Sequence, residues 1–130
     1  MEHPFITLWN KPSRLVVGLM SGTSADGIDA VLTRITGFGL TTKVEQLGFY
    51  FQPFTEATRN RILAVAGGDF GGTHEICLLS THLGQLYAQA VRGLLEKTGT
   101  EQVDLIGNHG QTVWHIPEAE SYLDTPIRGT

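Results

Sequence analysis

Residues Val16 to Asp29 read Val-Val-Gly-Leu-Met-Ser-Gly-Thr-Ser-Ala-Asp-Gly-Ile-Asp, and they limit the fold more than any other stretch. An apolar run stops in a polar knot, Ser21 to Gly27, and a second apolar run, Ile28 to Ile35, begins at once. Two β-rich runs joined by a short polar loop specify a hairpin. Three hydroxyls, two glycines and a carboxylate crowd its tip. Glycine lets another molecule approach the backbone, and unpaired N–H groups with hydroxyls are the donors a phosphate oxygen needs. The loop therefore reads as a phosphate cradle. Asp26-Gly27 between apolar runs is also an ordinary hairpin turn, and Ser and Thr favour turns for reasons of their own. The loop is not a Walker A sequence, because no Gly-Lys-Ser/Thr follows. It is not a dinucleotide fingerprint either, because Ile28 to Thr33 reads as a strand where that motif needs a helix.

The rest of the chain is compatible with one domain built around that hairpin. It has 130 residues, 41% of them hydrophobic and 17% charged, which suits a packed core and argues against disorder. Nine basic residues against thirteen acidic give a net charge of −4, with no Lys/Arg stripe, so a nucleic acid is not an expected partner. No apolar run reaches the length of a membrane helix, and Met1 to Ser13 lacks the basic start and apolar core of a signal peptide. Cys77 stands alone and cannot form an internal disulfide, which suits a reducing, cytoplasmic location; it reads as a small buried hydrophobe.

Residues 1–14 are expected to be a loose leader, in which Phe5 and Trp9 cover a sheet edge, and residues 15–130 the domain. Leu15 to Met20, Ile28 to Ile35 and Thr42 to Phe51 are the first three strands, with Gly37-Phe38-Gly39 as a turn and Pro53 as a stop. Thr55 caps a helix that runs to about Ala66 and ends at Gly67-Gly68. A flexible link, Asp69 to Gly72, leads to a second helix capped by Thr73 and stopped by Gly99. Ile76, Leu79, Leu83, Leu86, Ala90 and Leu94 give that helix one apolar face, and its length is roughly 37 Å. His74 and His82 on it read as solvated or capping residues. Val103 to Asn108 is a fourth strand, and the polar cluster Asn108 to Thr112 follows it. The order implies an α/β fold with a mixed sheet, and ligands gather beyond the carboxyl ends of strands in such sheets. If the first and last strands run parallel, the loop at Ser21 and the cluster at His109 share one edge.

Asp26 and Asp29 would repel a phosphate unless Mg²⁺ or sugar hydroxyls lay between them. The alternative makes Asp26 a turn former and Asp29 a polar strand residue. His109, Gln111, Thr112, Trp114 and His115 combine an aromatic face with neutral donors and acceptors, a mixture suited to a sugar. Alternatively, Trp114 packs into the core and His109 caps a backbone group. No protein metal centre is expected, because His109 and His115 lack Cys or acidic partners at ligand spacing.

Gly18 to Asp29, Gly-Leu-Met-Ser-Gly-Thr-Ser-Ala-Asp-Gly-Ile-Asp, resembles the N-terminal signature of the anhydro-N-acetylmuramic acid kinases. Ile106 to His115, Ile-Gly-Asn-His-Gly-Gln-Thr-Val-Trp-His, resembles a second motif of that family, and Leu83 to Ala88 is similar too. The likeness covers nearly everything from Leu15 onward. It implies the sugar kinase, heat-shock 70 and actin superfamily, with a ribonuclease-H-like core of three antiparallel strands, helices and a further parallel strand: an actin-like ATPase half-domain. It implies ATP and Mg²⁺ as cofactors and 1,6-anhydro-N-acetylmuramic acid, an amino sugar, as substrate. The anhydro bridge is opened with water and the 6-hydroxyl is phosphorylated, feeding peptidoglycan recycling in the bacterial cytoplasm. By position, Gly22, Thr23, Ser24, Ala25, Asp26, Gly27, Ile28 and Asp29 would form the ATP phosphate loop, with the hydroxyl of Ser21 as a further donor. Asp26, His109, Gln111 and Thr112 would lie near the sugar.

The family's general base is an Asp in a later Gly-Asp-Thr-Gly-Pro-Gly-Asn motif, which residues 1–130 do not contain. The chain is therefore expected to be an inactive N-terminal portion of a two-domain kinase, and self-association into a homodimer through exposed apolar surface is a further expectation. The competing readings are a free-standing, non-catalytic ribonuclease-H-like binding module and another sugar or acetate-type kinase of the superfamily.

Overall fold

In the computed structural model, which describes residues 3–69 and 71–129, a four-stranded mixed sheet carries two long helices. The elements are α1 (Pro4–Asn10), β1 (Ser13–Ser21), β2 (Gly27–Thr36), a 3₁₀ turn (Gly39–Thr41), β3 (Lys43–Pro53), α2 (Glu56–Ala66), α3 (Gly72–Thr98), β4 (Leu105–Gln111), β5 (Ile116–Tyr122) and β6 (Thr125–Gly129). The sheet order is β3-β2-β1-β4. The first three strands pair antiparallel, and β4 pairs parallel to β1, which meets the condition under which the two polar motifs share one edge.

Strand alternation decides which face is buried. Val17 and Leu19 of β1 lie opposite Leu32 and Ala30 of β2, and with Ile28 they form the buried face. Ile62 and Val65 of α2 and Leu79, Leu83, Tyr87, Ala90 and Leu94 of α3 complete one core. The stripe read from the sequence is the buried face of α3, with Tyr87 added to it and Ile76 and Leu86 only half-buried. The Tyr87 hydroxyl finds no hydrogen-bond partner among the described residues, and burial pushes its pKa up. The opposite sheet face carries Met20, Phe49 and Phe51, all exposed.

The helix ends follow local chemistry, with one exception. Thr55 Oγ1 accepts from the Thr58 N–H at 3.2 Å, as an N-cap should. Gly99, at φ 64°, closes α3 by donating to the Leu95 and Glu96 carbonyls. Thr73, however, lies inside α3, and the cap position belongs to left-handed Gly71. Cys77 is exposed rather than buried, because it falls beside the apolar stripe instead of on it. His82 is exposed and meets Thr58 Oγ1 at 3.1 Å, tying α3 to α2.

Two segments differ from expectation. Met1 and Glu2 of the expected leader lie outside the described residues, as do Phe70 of the link and Thr130, but residues 4–10 form a helix docked on the sheet. Arg14 holds it by donating to the Leu8 and Trp9 carbonyls at 3.0 and 2.9 Å, and its guanidinium stacks over Phe38. Trp9 packs on Phe38 as well, so it covers the β2–β3 corner, while Phe5 is exposed. Seven residues are too few for periodicity to reveal a helix. The β5–β6 hairpin was also unforeseen. Its two-residue turn, Leu123-Asp124, has both φ values left-handed (49° and 60°) without the glycine that normally marks such a turn.

Asp104 fastens β4 to β1 at the end remote from the polar loop. Its N–H donates to the Leu15 carbonyl at 2.8 Å, its carboxylate accepts from the Leu15 N–H at 2.9 Å, and it pairs with Lys11 at the end of α1. The Lys11 ammonium first, then the Leu15 N–H, hold the Asp104 carboxyl below its ordinary value, against the opposing effect of burial. A depressed folded-state pKa stabilises the fold above the unfolded carboxylate pKa, and that contribution is lost as pH falls through the folded value. Asp104→Ala should cost about 1–3 kcal/mol at neutral pH. Asp104→Asn should flatten the acid limb of stability against pH, measured by chemical denaturation of the protein from neutral pH into the acid range.

Candidate functional site

Parallel pairing brings the carboxyl ends of β1 and β4 side by side, so the two polar motifs converge. The pairing runs Val16 to Leu19 against Leu105 to Asn108, slips, and resumes with Ser21 opposite Gln111. The extra residue is accommodated around His109-Gly110, where Gly110 takes φ 83° and donates to Asn108 Oδ1 at 2.9 Å. A bulge re-aims the next side chain. Here it turns Gln111 toward Ser21, on the buried face.

The result is a latch. Gln111 Oε1 lies 2.6 Å from Ser21 Oγ, and Gln111 Nε2 donates to the Gly22 and Thr112 carbonyls at 3.0 and 3.1 Å. Ser21, 1% exposed, also lies 2.8 Å from the Gly27 carbonyl across the base of the loop, so its single hydroxyl hydrogen is shared between two acceptors. Ser21 is therefore consumed inside the protein and is not the free hydroxyl donor expected from its motif. The strand period places it on the core face with Val17 and Leu19. Gln111 likewise commits both amide hydrogens and its oxygen to bonds within the protein, while its side of the chain also borders the cavity lined by His109, Thr112 and Trp114.

Beyond the latch, the loop divides cleanly. Ala25, Gly27 and Ile28 are buried, so they can offer only backbone. A Cβ on Gly27 would lie 2.7 Å from the Phe51 ring and collide with the Gln52 carbonyl, so this glycine is required by β3. Gly22 is the opposite case: a Cβ there meets nothing within 4 Å. The Ala25 N–H closes a turn on the Gly22 carbonyl at 3.2 Å, with Ala25 left-handed at φ 52°. Thr23 and Ser24, at its tip, are exposed and make no hydrogen bond among the described residues. Asp26 and Asp29 are exposed as well.

In the second motif, His109 is exposed, Thr112 is half-buried and Trp114 is 60% exposed, so Trp114 is no core residue. Two shallow cavities of about 290 Å³ each flank Thr112 and Trp114. One is bordered by His109; the other is shared with Thr23 of the first loop and with His115. A third, of about 370 Å³, lies between α3 and β4, beside Tyr87 and Asn108. Among the described residues no three His, Cys, Asp or Glu side chains group into a metal site. A magnesium ion held between one or two carboxylates and phosphate oxygens needs no such trio, and exposed Asp26 fits that mode, whereas Asp29, opposite Met20 and Phe51, lies on the outer face of the sheet.

Both motifs fall within residues 14–126, which match the family model for anhydro-N-acetylmuramic acid kinase. The protein of that name from Caldanaerobacter subterraneus is 44% identical over 127 residues, covering 96% of this chain and 32% of the relative. Those from Trichormus variabilis and Bacillus cereus are 44% and 42% identical over 110 residues, covering 85% and 83% of this chain and 27% and 29% of the relatives. The chain belongs to the anhydro-N-acetylmuramic acid kinase family. It spans about a third of the length of these relatives. No described helix is long and apolar enough to cross a membrane.

In this member of the kinase family, sequence reasoning missed one charged residue at the loop. Arg59, in the first turns of α2, places Nε 3.5 Å from Asp26 Oδ1, and the Phe54 N–H donates to the Asp26 carbonyl at 3.0 Å. No sequence signal joins residues so far apart; β3 returning beside β2 brings them together.

The latch makes a measurable statement. In a double-mutant cycle, Ser21→Ala and Gln111→Ala should show a coupling of about 1 kcal/mol. Independent losses in chemical denaturation would reject the latch.

Proposed function

We propose that this chain is the N-terminal part of an ATP-dependent sugar kinase that opens 1,6-anhydro-N-acetylmuramic acid with water and phosphorylates its 6-hydroxyl, feeding peptidoglycan recycling in the bacterial cytoplasm. The observation that carries the reading is the latch-held convergence of the two family motifs at one sheet edge. The strand order supports a ribonuclease-H-like, actin-type half-domain over residues 15–130.

In this reading the tip of the β1–β2 loop receives the ATP phosphates. Thr23 and Ser24 supply N–H and hydroxyl donors, and Gly22 leaves the space that a phosphate oxygen fills. Asp26 would hold Mg²⁺, which neutralises phosphate charge when bound. The cavity shared by Thr23, Thr112 and Trp114 takes the sugar, with Trp114 as apolar wall and Thr112 as polar contact. His109 borders the neighbouring cavity. Gln111 and Ser21 set the spacing between the two halves. The general base comes from the later Asp-Thr-Gly-Pro-Gly-Asn motif of the family, outside residues 1–130. Phosphoryl transfer depends on positioning and on charge stabilisation from several sides, so residues 1–130 alone should be inactive.

The test uses the complete protein, assayed for ATP-dependent phosphorylation of the anhydro sugar. Gly22→Val is the sharpest probe, because the fold has room for the side chain and a phosphate does not. It should lower kcat/KM for ATP by about a hundredfold or more while the protein stays folded, and Asp26→Asn should lower kcat by a similar order. Normal kinetics in both variants would refute the loop assignment.

A further inference from the structure

We infer that Arg59 is an additional phosphate-binding residue of this site, donating to the triphosphate of the bound nucleotide; the inference rests on the phosphate reading of the β1–β2 loop. A carboxylate at the mouth of a phosphate cradle repels its ligand, and one Mg²⁺ does not cancel a triphosphate. The fold places a second cation at that point. Arg59 Nε lies 3.5 Å from Asp26 Oδ1, and both side chains are open to solvent, 44% and 63% exposed.

The position is built rather than incidental. Thr55 caps α2 and its carbonyl accepts from the Arg59 N–H at 2.9 Å, so the first helical turn sets where Arg59 stands. The residue before the cap, Phe54, is hydrogen-bonded to Asp26 itself at 3.0 Å. The start of α2 and the loop tip are thus one connected unit. Three other arginines are engaged elsewhere: Arg61 with Glu75 and Asp69, Arg14 with two backbone carbonyls and Arg34 with Glu45. Arg59 has only the Asp26 pair among the described residues. A guanidinium carries five donors in a planar fork matched to phosphate, and the Asp26 contact occupies only Nε. The remaining donors suit phosphate oxygens, while Asp26 turns to the metal.

The experiment measures nucleotide binding by calorimetry in the complete protein with Mg²⁺, using ATP and, as an uncharged control, adenosine. Arg59→Ala should weaken ATP binding by about ten- to a hundredfold, the range of one charge-assisted phosphate contact, with adenosine affinity and melting temperature unchanged. Arg59→Lys should recover part of the loss and Arg59→Gln, which keeps the packing of the stem, should not. ATP affinity within twofold of wild type in Arg59→Ala, when Gly22→Val abolishes binding, overturns the role of Arg59 and leaves the loop reading standing. Unchanged ATP affinity in both variants overturns the two together. An equal loss for ATP and adenosine marks Arg59 as structural and also overturns the inference.

Discussion

Parallel pairing of β4 with β1 is the constraint on which the rest of this structure depends. Asp104 anchors the pair at one end through Leu15 and Lys11, and Gln111 anchors it at the other through Ser21 and Gly22. Between them the ladder forces the two chain reversals most rich in polar groups to open on the same sheet edge. Without that pairing, the β1–β2 loop would be a hairpin tip like any other and the second motif a separate surface loop.

The latch also explains a division of labour within the polar motifs. Residues that look alike in the sequence do different work because alternate positions of a strand face opposite sides. Ser21 and Gln111 face inward and satisfy each other. Thr23 and Ser24, beyond the strand end, face solvent with their donors unspent. Two glycines separated by four residues differ in the same way: Gly27 is excluded from bearing a side chain by β3, while Gly22 borders open space. In the kinase reading, the inner set fixes the geometry and the outer set meets the ligand. The electrostatics follow the same economy, with the Asp26 carboxylate set against Arg59 at a helix start bonded to the loop.

Much of the fold was legible in the sequence. The three opening strands, the Thr55 cap, the apolar stripe of α3 and its Gly99 stop are all present near their expected bounds. Less of the site was legible. The two motifs and their common edge were foreseen, but Ser21 was expected as a ligand donor and Gln111 as a sugar contact. The bulge at His109-Gly110, which no residue pattern marks strongly, aims Gln111 at Ser21, a pairing the sequence did not announce. The helix over Pro4–Asn10 and the hairpin turn at Leu123-Asp124 escaped for local reasons: one is too short to show a period, and the other lacks glycine.

What the chain determined by itself is whatever a few neighbouring residues can enforce: alternation in a strand, a 3.6-residue stripe, a capping hydroxyl, a left-handed glycine, and the two motifs that mark its family. Tertiary structure decided which polar groups are spent and which are left. That depends on the register of β1 against β4 and on the path that returns α2 to the loop. Hydrogen-bond partners such as Ser21 with Gln111, and charges such as Asp26 with Arg59, lie far apart along the chain. Only the folded geometry places them within reach of each other.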